Sequence, residues 1–284
     1  MSTQFEWALL LLPGLIWGAS FLLIAESLNA LAPNGVTFAR FVIGFLTLSL
    51  VPGARQPILK SDRTGIVWLG ILWLAFPMSM FPYAEQHVTF ALTGMLNGAV
   101  PLIATSVAAV LAQKLPSGLV VVGLALGFGG EALMALPDLS AGGNSTSSVL
   151  LILAALVSYG VAINIARPLQ QRNGALPVVW RALAVAMALT APLGIPAVLA
   201  AHWTPRSVIA LLALGVLGTA VANVVMATSS GRLGATRASA TAFLIPVVAL
   251  LLGVVVRAEA VPLLAVAGVA FCLGGAWLVR RGTL

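Results

Sequence analysis

Polar and aromatic side chains recur at helical spacing inside otherwise apolar stretches of this sequence. One stripe occupies the third apolar segment and another the eighth, and the members of each stripe share one helix face. The stripes are Ser79, Tyr83 and Gln86 in the third segment, and Thr219, Asn223, Met226 and Ser230 in the eighth. Because polar side chains are costly in lipid, they face protein or a water-filled path. Such faces can bind a small, partly apolar solute without covalent chemistry.

Two aromatic residues, Trp17 and Tyr159, lie near the midpoints of the first and sixth apolar segments. Methionine side chains near the same depth adapt to ligands of varied shape. We therefore predict a central substrate cavity lined by Trp17, Ser20, Met78, Tyr83, Asn97, Tyr159, Asn223 and Met226. The alternative for each residue is helix packing, in which an aromatic ring fills space and a Ser or Asn side chain bonds a neighbouring helix.

A proline lies near the middle of the fourth apolar segment, Pro101, and of the ninth, Pro246. Proline lacks an N–H group, so each should free the carbonyl four residues earlier, at Asn97 and Ala242. A free carbonyl near the membrane midplane persists only against protein or water. We predict two kinks that gate the cavity or coordinate the substrate, with a packing kink as the alternative.

The remaining charged and nucleophilic residues form no catalytic or metal-binding pattern. The sequence has one cysteine, Cys272, and two histidines without ligand spacing, His87 and His202. An enzyme needs convergent nucleophiles, metal ligands or paired carboxylates, so we expect neither enzymatic activity nor a cofactor. Arg40 lies within the second apolar segment and is expected to pair with an acidic residue or to extend outward to the interface. The acids cluster toward the outer ends of the segments, at Glu26, Glu85, Glu131 and Glu259.

The middle thirds of the apolar segments contain no Asp or Glu, so the predicted cavity lacks a counter-charge for a cation. We therefore expect uncharged or zwitterionic solutes to be preferred over monovalent cations. A zwitterion would be met by Asn and Ser dipoles and by the freed carbonyls, without a full protein charge.

The composition requires a membrane around these segments. Of the 284 residues, 61% are hydrophobic and 7% are charged, with a mean hydropathy of +1.10. Soluble domains carry about a quarter charged residues, whereas a membrane helix needs ~20 apolar residues. The chain therefore has room for roughly ten spans and no separate soluble domain. The net charge of +7 reflects positively charged cytoplasmic loops, and no nucleic-acid partner is expected.

Hydropathy and helix-breaking residues predict an all-α integral membrane protein with ten transmembrane helices. They span residues 7–28, 34–51, 65–86, 90–113, 118–136, 147–172, 175–200, 205–230, 236–257 and 260–281. With the amino terminus in the cytoplasm, eleven basic residues fall on or near that side, whereas Arg206 and Arg257 fall outside. This bias predicts that both termini are cytoplasmic.

The two halves of the sequence resemble each other across a polar stretch at residues 140–148. Residues 94–101 parallel residues 239–246, and Trp17-Gly18 parallels Tyr159-Gly160. Since each half has an odd number of spans, the second half must enter the membrane from the opposite side. We predict two inverted five-helix repeats, residues 1–141 and 142–284, which form one transport unit with a midplane substrate site between them.

These motifs resemble those of the EamA-like, ten-helix carriers of the drug/metabolite transporter superfamily. The matching features are the small-residue motif Trp17–Phe21 in the first helix, the prolines of the fourth and ninth helices, and Glu259 after the ninth. Lys114 departs from the acidic residue that the family usually places after the fourth helix. The resemblance covers nearly the whole chain and is nearest to the branch of aromatic amino-acid exporters.

This resemblance implies a multi-pass secondary transporter of the bacterial inner membrane. It would export small neutral or zwitterionic metabolites, chiefly aromatic and other apolar amino acids, by alternating access. The expected partners are this substrate and the lipid bilayer, and a monomer is expected. The alternative within the superfamily is a multidrug or organic-cation proton antiporter.

Overall fold

The computed structural model describes residues 3–88, 93, 96–97, 99–140, 146–257 and 263–282, and within these ranges the chain forms helices and no strand. The helical segments are α1 (Thr3–Leu28), α2 (Pro33–Ser49), α3 (Lys60–Ala84), α4 (Ala99–Ala112), α5 (Gly118–Ser140), α6 (Thr146–Asn173), α7 (Ala175–Leu199), α8 (Pro205–Leu233), α9 (residues 235–257) and α10 (Leu263–Arg281). Glu259, Gly94 and residues 141–145 of the polar stretch between the halves lie outside the described residues.

Six segments of the described chain are long and apolar enough to cross a membrane: α1, α3, α6, α7, α8 and α9. Segments α4, α5 and α10 contain shorter apolar helices. Large apolar side chains are exposed on outward faces, as lipid contact requires, including Leu193, Ile209 and Val255. The chain is therefore a multi-pass membrane protein, while ten crossings and the location of the termini stay predictions.

Local sequence signals explain where several helices begin and end. Pro33 begins α2, where its fixed φ angle suits the first turn. Thr204 caps α8 by accepting a hydrogen bond from the backbone N–H of Ser207, which bonds back to Thr204. Gly174 and Gly234 have φ angles of +80° and +87°, a conformation that favours glycine. These two glycines separate α6 from α7 and α8 from α9.

Glycines bring the first helix of each half against the fourth helix of the other half. A Cβ atom on Gly18 in α1 would lie 2.5 Å from the Cβ atom of Val248 in α9. A Cβ atom on Gly160 in α6 would collide with the side chain of Ile103 in α4. These contacts correspond to each other, because Ile103 and Val248 each lie two residues after the proline of their segment, Pro101 or Pro246.

A second pair of glycine contacts joins the second and third helices of opposite halves. A Cβ atom on Gly215 in α8 would lie 3.3 Å from the carbonyl oxygen of Arg40 in α2. A Cβ atom on Gly70 in α3 would lie 2.8 Å from the carbonyl oxygen of Ala182 in α7. The same two Cβ atoms would also contact the side chains of Ile43 in α2 and Val185 in α7. Each of these residues lies three positions after the residue that presents its carbonyl oxygen. Arg40 and Ala182 therefore occupy corresponding positions in the packing.

Segments α3 and α8 each contain a stretch of π-helix at these glycines. A π-helical stretch displaces the usual backbone pairing and is frequent at functional sites. A carbonyl oxygen in each stretch accepts a hydrogen bond from the other half. The Ser158 hydroxyl donates to the Leu72 carbonyl at 2.6 Å, and Nε1 of Trp17 donates to the Gly218 carbonyl at 3.0 Å. The stretches are Gly70–Ala75 in α3 and Leu214–Val221 in α8. The two halves thus contact each other reciprocally.

The prolines of α4 and α9 do not free the carbonyls of Asn97 and Ala242, so that sequence prediction is wrong. The Val100 N–H donates to the Asn97 oxygen at 3.0 Å, and the Ile245 N–H donates to the Ala242 oxygen. Both helices tighten locally. Each carbonyl accepts a hydrogen bond from the N–H three residues later, because the residue four positions later is proline and has no N–H. Pro101 and Pro246 therefore change helix geometry without exposing a backbone acceptor.

Candidate functional site

A cavity of about 50 Å³ lies between the two halves of the helical bundle. Its walls come from α1, α2, α3, α6, α8, α9 and the residues around the start of α4. This space holds about three to five water molecules, since one water needs ~10–15 Å³. Sites for drug-sized ligands are larger, roughly 300–1,000 Å³. The cavity in this structure is therefore smaller than a site for such a ligand.

Six of the eight predicted site residues line this cavity: Trp17, Ser20, Met78, Asn97, Tyr159 and Met226. The other two do not. Tyr83 is half-buried near the end of α3, and Asn223 is buried in α8, where its Nδ2 donates to the Thr219 carbonyl at 2.7 Å. Pro101 and Pro246 are not among the lining residues either, but each follows one that is, Val100 or Ile245.

The cavity face of α3 differs from the polar stripe in the sequence. It carries Trp73, Met78 and Phe81, whereas the Ser79 hydroxyl donates to the carbonyl of Ala75 within the helix at 2.6 Å. Ser79 thus bonds its own backbone, a common local solution for a hydroxyl in a helix. Phe81 supplies the ring that we had expected from Tyr83, because it lies three residues after Met78 and shares its face.

Aromatic rings from three helices form one wall of the cavity. The rings of Phe21 and Phe81 meet edge to face, with centroids 5.6 Å apart and planes at 78°. The rings of Phe81 and Tyr159 stack, with centroids 5.9 Å apart and planes at 22°. Such rings offer both faces and edges to an aromatic or apolar side chain. The signal for Phe21 was present in the sequence, since it lies four residues after Trp17.

Arg40 is buried, at 3% exposure, and lines the cavity. Its Nε donates to the Thr219 hydroxyl oxygen at 2.9 Å, and that hydroxyl donates to the Leu214 carbonyl, five residues earlier, at 2.9 Å. The π-helical stretch of α8 thus positions Thr219 to accept from Arg40. Arg40 is the one basic residue of α2 and stands at its eighth position, a feature that is visible in the sequence.

Arg40 forms no ion pair within the described residues, contrary to the expectation that it pairs with an acid or extends outward. Glu26 is bonded instead to Arg206 at 2.7 Å. Glu85 interacts electrostatically with Arg40, but their charged atoms do not come within 4.0 Å. Both carboxylate oxygens of Glu85 are buried without a hydrogen-bond partner. The described lining includes this one guanidinium and no carboxylate, so the charged group that directly faces the cavity is a cation.

No group of three His, Cys, Asp or Glu residues that could hold a metal ion occurs in the described part of the chain. The lining therefore offers ring faces, hydroxyl groups, an amide and a guanidinium. These groups can bind an apolar solute that carries a negative charge, since a guanidinium recognises a carboxylate through two parallel hydrogen bonds.

Two segments of the chain, residues 5–136 and 146–281, match the family model described as EamA-like transporter family. A relative from Streptantibioticus cattleyicolor, described as a probable terminal-alkyne amino-acid exporter, is 28% identical, with 98% of this chain and 94% of that protein aligned. An uncharacterized transporter from Archaeoglobus fulgidus is 22% identical, with 97% and 99% aligned. A solved structure described as "Crystal structure of protein" has a TM-score of 0.78 at 20% identity, covering 98% of this chain and 96% of its own. It shows a shared fold.

Proposed function

The chain belongs to the EamA-like transporter family, and from that premise we propose that it exports small apolar and aromatic amino acids across the bacterial inner membrane. It is a transporter and not an enzyme. The observation that carries the proposal is the cavity between the halves, which combines stacked aromatic rings with one buried guanidinium. The relative described as an amino-acid exporter, 28% identical over nearly the full length of both proteins, also supports it.

Alternating access between two inverted five-helix repeats, residues 1–141 and 142–284, is the mechanism we propose. Its support is that the family model matches the chain twice and that the glycine contacts recur between corresponding helices of opposite halves. A fold with two near-equivalent halves has two conformations of similar energy, each open to one side of the membrane. The small cavity corresponds to a conformation in which the substrate path is narrow.

The proposed orientation places ten spans in the membrane with both termini in the cytoplasm. Its support is a pair of contacts made by basic residues at what we take as the cytoplasmic end, where the positive-inside bias places such residues. Arg172 pairs with Asp62 at 2.7 Å, and Arg237 donates to the Gly282 carbonyl at 3.0 Å. The Glu26–Arg206 pair would lie at the opposite end.

Counterflow in proteoliposomes tests this proposal. Vesicles containing the purified protein and unlabelled phenylalanine are diluted into labelled phenylalanine, leucine, glutamate or tetraphenylphosphonium. We expect transient accumulation of labelled phenylalanine and leucine above that of protein-free vesicles, and none of tetraphenylphosphonium, because the buried Arg40 repels a cation. With vesicles loaded instead with tetraphenylphosphonium, counterflow of that cation but of no amino acid would favour the organic-cation antiporter and contradict the proposal.

A further inference from the structure

Resting on the function proposed above, we propose that Arg40 is the carboxylate anchor of the cavity, and that the carrier recognises the carboxylate rather than the ammonium group of its substrate. The substrate class is then apolar or aromatic monocarboxylates, which includes amino acids and also their analogues without an amino group. This goes beyond amino-acid export, since deaminated acids become substrates of the same site.

The hydrogen bonds of Arg40 leave the outer part of its guanidinium available to a ligand. A hydroxyl has one proton, and Thr219 gives its proton to the Leu214 carbonyl, so the oxygen must accept from Nε of Arg40. Within the described residues Arg40 makes no other hydrogen bond. The two Nη groups remain on a side chain that lines the cavity. Their planar arrangement matches the two oxygens of a carboxylate.

The packing of the helices does not itself require a charge at this position. Ala182 in α7 corresponds to Arg40 in α2, because each presents its carbonyl oxygen to the glycine of the π-helical stretch opposite. The fold therefore accommodates alanine where the other half has arginine. A buried charge without an ion pair is destabilising, and its presence in one half indicates a role in binding.

The described lining offers no equivalent charged partner for an ammonium group. Glu85 interacts with Arg40 but is not a lining residue. The lining group that most resembles a carboxylate is the side-chain amide of Asn97. Its Nδ2 donates to the Thr93 carbonyl at 2.9 Å, so its oxygen is the atom that could accept from an ammonium group. An amide oxygen offers an ammonium group an acceptor without an opposite charge, whereas a guanidinium offers a carboxylate two parallel hydrogen bonds and an opposite charge. Loss of the amino group should therefore change binding less than loss of the carboxylate.

Competition against labelled phenylalanine in wild-type proteoliposomes tests the inference without any substitution. The competitors are 3-phenylpropionate, which lacks the amino group, and 2-phenylethylamine, which lacks the carboxylate. We expect 3-phenylpropionate to compete within about threefold of phenylalanine and 2-phenylethylamine to compete about tenfold to a hundredfold more weakly, as hydrogen bonds to charged groups predict. Equal competition by the two analogues would overturn the inference, while phenylalanine counterflow would leave the proposed function standing.

Variants identify the residue responsible. We expect Arg40→Gln to weaken competition by 3-phenylpropionate about tenfold or more. The same substitution should leave the weak competition by 2-phenylethylamine unchanged or improved. Arg40→Lys should restore part of the loss. Arg206→Gln is the matched control, because it removes a guanidinium that is exposed and paired outside the cavity. If Arg40→Gln does not fold, Thr219→Val removes only the acceptor of Nε and should lower the preference for the carboxylate. Unchanged selectivity in a folded Arg40→Gln or Thr219→Val protein would contradict the assignment.

Discussion

At the scale of single residues, the proposed function assigns two kinds of side chain in the cavity to different parts of a solute. The stacked rings of Phe81 and Tyr159 would contact its apolar portion, whereas the guanidinium of Arg40 would bind its carboxylate. Trp17 has a second role, because its indole N–H bonds the Gly218 carbonyl and so joins α1 to α8. Substitution of Trp17 should therefore affect both binding and the contact between the halves.

Phe81 is the cleaner probe of ring recognition, and Phe76 is its matched control on the same helix. Phe81 is buried and lines the cavity, whereas Phe76 is 40% exposed on the outer surface. We expect Phe81→Ala to raise the half-saturating phenylalanine concentration about two- to tenfold, since an aromatic contact contributes ~0.5–1.5 kcal/mol beyond buried area. Phe76→Ala should leave it within a factor of two of wild type, as roughly expected for a surface change. Equal effects of the two substitutions on binding would show that Phe81 is not a ligand contact.

The site could be predicted from the sequence only in part. Helical spacing and depth were enough to nominate Trp17 and Met78, because a midplane side chain can be located by counting from helix ends. The same reasoning selected Tyr83 over Phe81, because it searched for polar atoms and the cavity face of α3 is apolar. Arg40 was expected to pair with an acidic residue or to extend outward to the interface, since hydropathy does not reveal which side of a short helix faces a cavity.

At the scale of helices, close packing depends on glycines whose neighbours leave no room for a side chain. Predicted limits agree with the structure where a proline or glycine interrupts the chain: α2 covers Pro33–Ser49 against the predicted 34–51, and α7 covers Ala175–Leu199 against 175–200. The π-helical stretches in α3 and α8 could not be predicted. An apolar run has the same hydropathy whichever backbone pairing it adopts, so tertiary contacts determine where the pairing shifts.

Two glycines of α5 provide a matched test of this packing. A Cβ atom on Gly127 would collide with the Phe243 ring of α9, whereas a Cβ atom on Gly129 would have nothing within 4 Å. We expect Gly127→Ala to lower the thermal unfolding temperature in detergent by several degrees, because overpacking costs about 1–3 kcal/mol. Gly129→Ala should be as stable as wild type or slightly more stable, since alanine favours helix by ~1 kcal/mol. The packing described for α5 and α9 would be wrong if Gly127→Ala were the more stable variant.

At the scale of the whole molecule, the proposed mechanism requires one path that opens alternately to the two sides of the membrane. The reciprocal contacts of Gly18 with Val248 and of Gly160 with Ile103 join helices of opposite halves around the cavity. In the proposed mechanism, rocking of one half against the other would open the cavity first to one side of the membrane and then to the other. The central claim is that this single cavity is both the substrate site and the element exposed alternately.

Thiol accessibility at one cavity position tests this claim most directly. Cys272 is the single cysteine of the chain and is buried, so Cys272→Ala gives a background without cysteine. Into that background we introduce one cysteine at a time. Met226→Cys lies at the cavity, and Leu193→Cys lies at a residue that is 66% exposed on the outer surface of α7. An impermeant thiol reagent is then added to right-side-out and to inside-out membrane vesicles, with and without phenylalanine.

The account predicts that Met226→Cys reacts in vesicles of both orientations and that phenylalanine slows both reactions. Leu193→Cys serves as the control, because any reaction there should not depend on phenylalanine. Reaction of Met226→Cys from one side only, at a rate unaffected by phenylalanine in a protein that still performs counterflow, would contradict the claim that substrate passes through this cavity by alternating access.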